Sequence, residues 1–418
     1  MKEHPLRQRA LEEIHARPFE SYPTPRAIFH QAYMAPPSGG LNREAFSSWC
    51  EAKNIAPPDV HARHHVVALA GGVRMIWERH HEFITLTWDC ENKPGAVDEL
   101  VRLANENESQ ILVPDAALIS LVQLDLIPLD AGAQADFTDF DPNNTCATSI
   151  NDEGAVIGSD FKMLENGATH ISIFNRSLDG NVMGSVVRRV LEIETYRVLS
   201  LLGYVTAKQI MPDVSAVEAR LVDLIGEMDG ANDLEASRSL LKTITKLATS
   251  VEAISAKSQF RLSATKAYYN LVNLRLSRLV GAPYKSMMGV EDFLGRRLAP
   301  AMRTCESVED RIFIASKKLS RAANLLRTRV DIQLEAQNHE LLESMDRRAR
   351  QQFRLQQTVE GLSIAAVSYY VVSLIGYLAK GVQDYTGLQP GLVMAMSVPL
   401  VLVIIWMLVR RIRNQHSK

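Results

Sequence analysis

The stretch Gly361-Leu362-Ser363-Ile364-Ala365-Ala366-Val367-Ser368-Tyr369-Tyr370-Val371-Val372-Ser373-Leu374-Ile375-Gly376-Tyr377-Leu378-Ala379 holds no charged residue. As a helix, its roughly 19 residues reach about 29 Å, close to the ~30 Å of a bilayer's hydrocarbon core. A second uncharged run, Gly391 to Val409, follows the short connection Lys380 to Pro390. Neither run alternates as a barrel strand does. An open strand would also leave its backbone groups unpaired in lipid, so both runs are expected as helices. Together they predict a hairpin that crosses a membrane twice. Two buried core helices are the competing reading, against which stand the matched lengths and the arginines on either side.

Those arginines set the expected topology. Arg347, Arg348, Arg350 and Arg354 precede the first span, and Arg410, Arg411 and Arg413 follow the second, whereas the connection carries only Lys380 and Asp384. The positive-inside rule then places both termini in the cytoplasm, with residues 412–418 as a basic tail. The same arginines can touch anionic headgroups, so membrane lipids are expected partners. Within the first span, Ser363, Tyr370, Ser373 and Tyr377 share one helical face with Ala366, and Gly361, Ala365, Ser368 and Val372 share the opposite one. The polar face either lines a pore or bonds between packed helices, and the small residues allow close helix approach. Pro399 is expected to kink the second span. Neither span holds an ionisable carboxylate, Lys, Arg or His, which speaks against a proton relay.

Upstream, residues 210–357 read as a long, coiled-coil-like helical stalk. Glycine and proline are scarce apart from breaks at Asp229-Gly230-Ala231-Asn232 and Gly281-Ala282-Pro283, and Pro300 marks a kink or a helix start. Beyond it Val308, Ile312, Ala315, Leu319, Ala322 and Leu326 follow the 4-3 spacing of a heptad seam. No breaker separates this helix from the first span. Leu234 to Leu279 offers it an antiparallel partner, with Leu240, Leu241, Ile244, Leu247 and Val251 as an apolar face, and self-association is the other option.

Residues 61–209 read as a mixed α/β cytoplasmic domain. Strands are expected at Val66–Leu69, Val73–Trp77, Phe83–Trp88, Ala117–Ile127, Cys146–Ile150, Ala155–Ser159 and His170–Phe174. Helices are expected from Pro94 to about Asn107 and from Gly184 to Lys208. Residues 1–60, rich in proline and aromatics, read as an extended arm with short helices. The fold class expected is thus α+β: a mixed domain, a stalk and, at 358–411, a transmembrane hairpin.

The chain has 418 residues and a net charge of −2, with no basic excess that would point to nucleic acid. Cys50, Cys90, Cys146 and Cys305 lie far apart without CxxC spacing, which suits a reducing compartment and speaks against structural zinc. The first residues hold no apolar run, so no cleaved secretory signal is expected. His64, His65, Glu78, His80, His81 and Glu82 gather near the open end of the first hairpin. His64 and His80 are the candidates there for a metal, with polar strand ends as the alternative. Asp136, Asp139 and Asp141 form an acidic loop that lacks the glycine and glutamate of an EF-hand; it reads as a weak cation site or a solvated loop. No GxSxG, HExxH or phosphate loop is present, so neither catalytic residues nor a cofactor are expected.

His15-Ala16-Arg17-Pro18-Phe19 and Gln357-Thr358-Val359-Glu360-Gly361-Leu362-Ser363, with Tyr369-Tyr370 beyond, resemble a bacterial family of uncharacterised membrane-anchored proteins. The resemblance runs over essentially the whole chain and implies a Gram-negative inner-membrane protein. It implies no activity, the family being described as a domain of unknown function. In architecture the chain also resembles the CorA-type divalent-cation channels, in which the first span lines an oligomeric pore. That family's Gly-Met-Asn signature is missing, since the corresponding stretch reads Gly376-Tyr377-Leu378-Ala379-Lys380-Gly381. The leading expectation is therefore a homo-oligomer that conducts ions or small solutes. A membrane-tethered scaffold or regulator that binds a cytoplasmic protein is the competing one.

Overall fold

The computed structural model describes residues 3–4, 7, 11, 20–34, 41–80, 82–231, 233–279, 281–381 and 389–416, without the side chains of 41, 42 and 412–416. In chain order the elements are β1 (Arg26–Met34), α1 (Leu41–Ala52), β2 (His64–Ala68), β3 (Arg74–Arg79), β4 (Phe83–Cys90), α2 (Ala96–Ile111), β5 (Ala117–Pro128), β6 (Cys146–Ile150), β7 (Ala155–Ser159), β8 (Thr169–Asn175), α3 (Gly180–Gly230), α4 (Leu234–Leu276), β9 (Gly281–Pro283), α5 (Val290–Gly381) and α6 (Pro390–His416). The class is α+β, with a mixed sheet, long helices and a pair of apolar helices at the C-terminal end.

The strands form a nine-stranded sheet in the order β2-β3-β4-β1-β5-β8-β7-β6-β9. The pair β5–β8 is parallel and the other pairs are antiparallel. The expected hairpin is present, with Val66 opposite Ile76. The largest departure from the sequence reading lies in β1. Residues 26–34 fall within the expected arm, yet they form a central strand between β4 and β5. β1 is buried on both faces, so its sequence shows no alternation of apolar and polar residues. Its two polar core residues, His30 and Gln31, further mask the signal. Gln31 is satisfied inside the core: its Nε2 donates to the Tyr33 hydroxyl at 2.8 Å, and its Oε1 accepts from Trp88 Nε1 at 3.1 Å. The segment His15 to Phe19 lies outside the described residues.

Each face of the sheet carries a layer of helix. On one face Phe29, Trp77, Ile84, Leu86 and Trp88 pack with Phe46 and Trp49 of α1 and with Leu100, Ala104 and Ile111 of α2. The spacing of those α2 residues makes one helical stripe, and each large apolar side chain buried there contributes about 1.5–3 kcal/mol. Trp49 Nε1 donates to Asn107 Oδ1 at 2.9 Å and ties the two helices together. The helix expected to open at Pro94 begins at Ala96, because Gly95 takes a left-handed conformation that stops it from extending backwards. On the other face Ile28, Ile76, Leu124, Ile157 and Ile171 pack against Met183, Val186, Val187 and Val190 of α3.

α3 does not end near Lys208; it continues through Pro212 to Gly230. Likewise α5 does not begin at Pro300 but encloses it, starting at Val290. The breaks expected near Gly230 and Gly281 are real: the first separates α3 from α4, and the second forms the short edge strand β9.

The contacts divide the chain into two units, residues 1–226 with 243–322 and residues 227–242 with 323–418. In the first unit the expected seam residues Val308, Ile312, Ala315, Leu319 and Ala322 are all buried. Arg311 binds Glu218 of α3 at 2.6 Å, and Ser316 donates to Glu252 of α4 at 3.0 Å. On α4, Val251 and Leu262 are buried as well. At Gly203 a β-carbon would stand 1.9 Å from Thr265 Oγ1, so α3 and α4 pack backbone against side chain there.

In the second unit Arg329 of α5 donates to the Met228 and Ala231 carbonyls at 2.7 and 3.2 Å, closing the end of α3. These are carbonyls that a helix end leaves without an intrahelical partner. Within this unit α5 and α6 each contain a stretch long and apolar enough to cross a membrane.

Candidate functional site

A cleft lies between the sheet and the first half of α3. Alternation along two central strands builds its floor. With Phe29, Ile84 and Leu86 committed to the α1–α2 face, His30 of β1 and Thr85 and Thr87 of β4 point to the other. His30 and Thr87 are register partners. The His30 Nδ1 is 2.8 Å from Thr87 Oγ1, and Nε2 is 3.3 Å from Thr195 Oγ1 of α3. Burial pushes the His30 pKa down to about 4, so the imidazole is neutral near pH 7. A neutral imidazole offers one donor and one acceptor, and hydroxyls can answer both. Thr85 differs from its neighbours. Its hydroxyl is buried, lines the cleft and has no hydrogen-bond partner among the described residues.

The walls are Tyr22, Ile76, Phe83, Leu191 and Tyr196, and the mouth is charged. Those charges are paired. Glu20 meets His64 at 3.3 Å and Arg74 at 2.9 Å. The hydrogen bond from His64, aided by the Arg74 charge, holds the Glu20 carboxyl below its usual range despite burial. Arg188 meets Glu192 at 3.2 Å and Glu78 at 3.8 Å, and Glu192 also binds Arg275 of α4. Beside the cleft the fully buried Asp89 takes Arg26 at 2.6 Å and Arg74 at 2.9 Å. The Arg74 guanidinium lies 4.8 Å from the centre of the Tyr22 ring, pinning residues 20–22 over the sheet.

A second cavity lies among β6, β7, α3 and the start of α5. The hydroxyls of Thr148 and Ser159 that line it are already used. Thr148 Oγ1 accepts from the Val290 amide at 2.9 Å, and Ser159 Oγ donates to the His170 carbonyl at 2.6 Å. Ile150, Ile157, Ile171, Val190 and Leu276 give it apolar walls, and Glu291 and Asp292 line it as well.

The metal candidates are distributed as follows. His64 and His80 both line the first cleft; His64 pairs with Glu20, and His80 stacks on Phe83 at 4.1 Å between centres. His81 lies outside the described residues. In the acidic loop Asp136 accepts from the Thr138 amide at 3.0 Å, and Asp139 is exposed. Asp141 accepts from Lys162, from Asn144 Nδ2 and from the Asn143 amide. The Lys162 ammonium leads these partners in pulling its carboxyl down to about 2. Each of these aspartates has turn-forming or surface work, and no three His, Cys, Asp or Glu side chains among the described residues gather as a metal site. Sequence reasoning passed over His30 and Thr85, since a lone histidine in an apolar strand reads as core. The alternation Thr85-Leu86-Thr87-Trp88 is the signal that marks one polar face.

In the pair of apolar helices, Ser368 and Gly376 of α5 are buried, and Gly376 faces the Met394 side chain. On α6, Val401 is buried, with Val393, Ser397, Ile405 and Val409 partly so at spacings of four residues. Gly361 and Ile364 share a groove with Trp406, Val409 and Arg410, so the two helices run antiparallel. Of the expected small-residue face, Ser368 makes the contact and Gly361 and Ala365 stay exposed.

Ser363, Tyr370 and Tyr377 are exposed and turned away from α6; Ser373 is half-buried and donates to the Tyr369 carbonyl of its own helix at 2.8 Å. Arg347 and Arg350 bind Glu343 and Asp346 one turn back, at 2.8 and 2.6 Å. Arg348, Arg354 and Arg411 are exposed. The Arg410 guanidinium lies 5.0 Å from the centre of the Trp406 ring. The side chain of Arg413 lies outside those described.

A family model described as "Protein of unknown function (DUF3422)" matches residues 2–416 of the chain. No curated protein matches it.

Proposed function

The chain belongs to the DUF3422 family, and from its own architecture we propose that it is a membrane-anchored regulatory protein that binds a small neutral organic molecule in its sheet domain. The unpaired, buried Thr85 hydroxyl carries this reading. A buried hydroxyl without a partner is costly, and such groups in a cleft mark where a ligand supplies the missing bond. The floor around it, His30, Thr87 and Thr195, is uncharged near pH 7, and the charges at the mouth already hold one another. That combination favours a ligand with a neutral hydrogen-bonding head and an apolar body lying against Ile76 and Leu191.

The anchoring half of the reading rests on α5 and α6. Arginines stand before the first apolar stretch and after the second, which favours a multi-pass inner-membrane protein with both termini in the cytoplasm. Trp406 under Arg410 fits the aromatic belt at a headgroup boundary.

The test is native mass spectrometry of the full-length protein purified in mild detergent, followed by thermal shifts against a library of neutral metabolites. A retained or stabilising compound that is lost in Thr85→Val supports the reading. No compound retained, and no shift across the library, overturns it.

A second reading is favoured by one observation. Ser363, Tyr370 and Tyr377 turn away from α6, as residues lining the axis of a ring would. On that reading the assembled chain conducts ions or small solutes. Flux from liposomes above the level of empty vesicles supports it, and no flux for common mono- and divalent ions removes it.

A further inference from the structure

From residue 335 to residue 359, every residue of α5 is exposed, including Leu341, Met345 and Val359. The first span continues the same helix without interruption. At 100° per residue, Leu334, Leu341, Met345, Gln352, Val359, Ser363, Tyr370 and Tyr377 fall within a sector of about 40°, with Arg348 at its border. Ser368, Val372 and Ile375, which face α6, lie on the opposite side of the helix, as do the Arg347–Glu343 and Arg350–Asp346 pairs. One side of α5 is thus satisfied by ion pairs and by α6. The other side has no partner among the described residues, and apart from Gln352 it is apolar before the span and hydroxyl-bearing within it.

We infer that this face, Leu334 to Tyr377, is a seam along which α5 packs in parallel on α5 of a second copy of the chain. The change of chemistry along it selects the occupant. Lipid could cover the upper part, but it offers Tyr370 no hydrogen bond; Tyr370 sits at the middle of the span and is 68 % exposed. A hydroxyl left unpaired in hydrocarbon is strongly disfavoured. A soluble protein could cover Leu341 and Met345 but could not follow the helix into the membrane. The occupant must itself be a helix that passes from water into lipid with apolar and then hydroxyl-bearing residues in the same phase, and a second α5 has that sequence. In a parallel pair each Tyr370 meets Tyr370 of the other copy, so a donor faces an acceptor. The seam spans about 65 Å at 1.5 Å per residue. A strip about 10 Å wide along it covers about 650 Å², near the roughly 800 Å² per partner of a stable interface. Ala366, at the border of the strip in line with Arg348, allows the close approach that helices in lipid need.

This inference rests on the membrane-spanning part of the reading above and is independent of any ligand. Oxidative crosslinking of single-cysteine variants of the full chain in native membranes tests it. All four native cysteines are buried, so the unaltered chain serves as control. Leu341→Cys, Met345→Cys, Ser363→Cys and Tyr370→Cys are expected to give covalent dimers, and Glu343→Cys and Asp346→Cys are not. Equal crosslinking on both faces, none on the seam, or crosslinks only to a different protein overturns the inference. Labelling of Tyr370→Cys by a membrane-impermeant maleimide would overturn the membrane reading itself. Protection of that site without crosslinks would remove the seam alone.

Discussion

His30 Nδ1 stands 2.8 Å from Thr87 Oγ1, two neighbouring strands sharing one polar contact beneath α3. Because burial lowers the His30 pKa from 6.5 to about 4, the unfolded chain binds the proton more readily than the folded one. Stability from this group is complete above pH 6.5 and is lost as pH falls through the window from 6.5 to about 4. The loss amounts to about 3 kcal/mol at 1.36 kcal/mol per pKa unit. The acid limb of a denaturation series should show it, read through the fluorescence of the buried Trp77 and Trp88. His30→Gln should flatten that limb. An unchanged acid limb would mean that His30 is charged in the fold.

Asp89, fully buried, is the shared acceptor of Arg26 and Arg74, and both arginines are about one-fifth exposed. Removing its charge takes this carboxylate from Arg26 and leaves Arg74 with Glu20. Asp89→Asn should therefore destabilise the sheet domain by about 3 kcal/mol, as for other buried pairs that lose one member. Chemical denaturation of the full chain reads this. A loss well under 1 kcal/mol would show that water reaches the two arginines.

How much of this was legible beforehand depended on periodicity. Strand β5 alternates between buried and more exposed residues and the seam on α5 recurs at helical spacing, while β6, β7 and β8, buried at most positions, still read as short runs bounded by turn residues. β1 does not. Buried on both sides, and carrying His30 and Gln31 inward, it has no pattern to distinguish it from a proline-rich arm. The cleft stayed hidden for the same reason, since its floor takes one residue from β1, two from β4 and one from α3, which only the sheet order brings together. In the apolar helix pair the sequence separated a polar face from a small-residue face. The small residues buried in the pair are Ser368 and Gly376, and Gly376 faces Met394.

Gly376 illustrates that contact. A β-carbon there would lie 2.9 Å from the Met394 sulfur and terminal methyl, the flexible end of a side chain. Gly376→Ala should therefore be tolerated within about 1 kcal/mol, because Met394 can turn aside. Gly376→Leu cannot be accommodated this way and should cost about 1–3 kcal/mol, as overpacking does. Thermal unfolding of the detergent-solubilised chain distinguishes the two. Equal effects would mean that the helices are not in close contact at this point.

Thr85 and Thr87 stand two residues apart on the same face of β4, and their hydroxyls are in opposite situations. Thr87 holds His30, whereas Thr85 has no partner among the described residues. Replacing either by valine exchanges a hydroxyl for a methyl of similar size. At Thr87 this strips the imidazole of one bond and should destabilise the free protein by about 1–3 kcal/mol. At Thr85 no bond is lost and an unsatisfied buried hydroxyl disappears, so the free protein should gain roughly 1 kcal/mol. A substitution that stabilises the empty protein while weakening its hold on a ligand is what a binding residue should show. Chemical denaturation of both variants, without added compounds, gives the sign. A loss of stability in Thr85→Val would mean that the hydroxyl has a bound water or another partner in the free protein, and the cleft would then lose its strongest claim to a ligand.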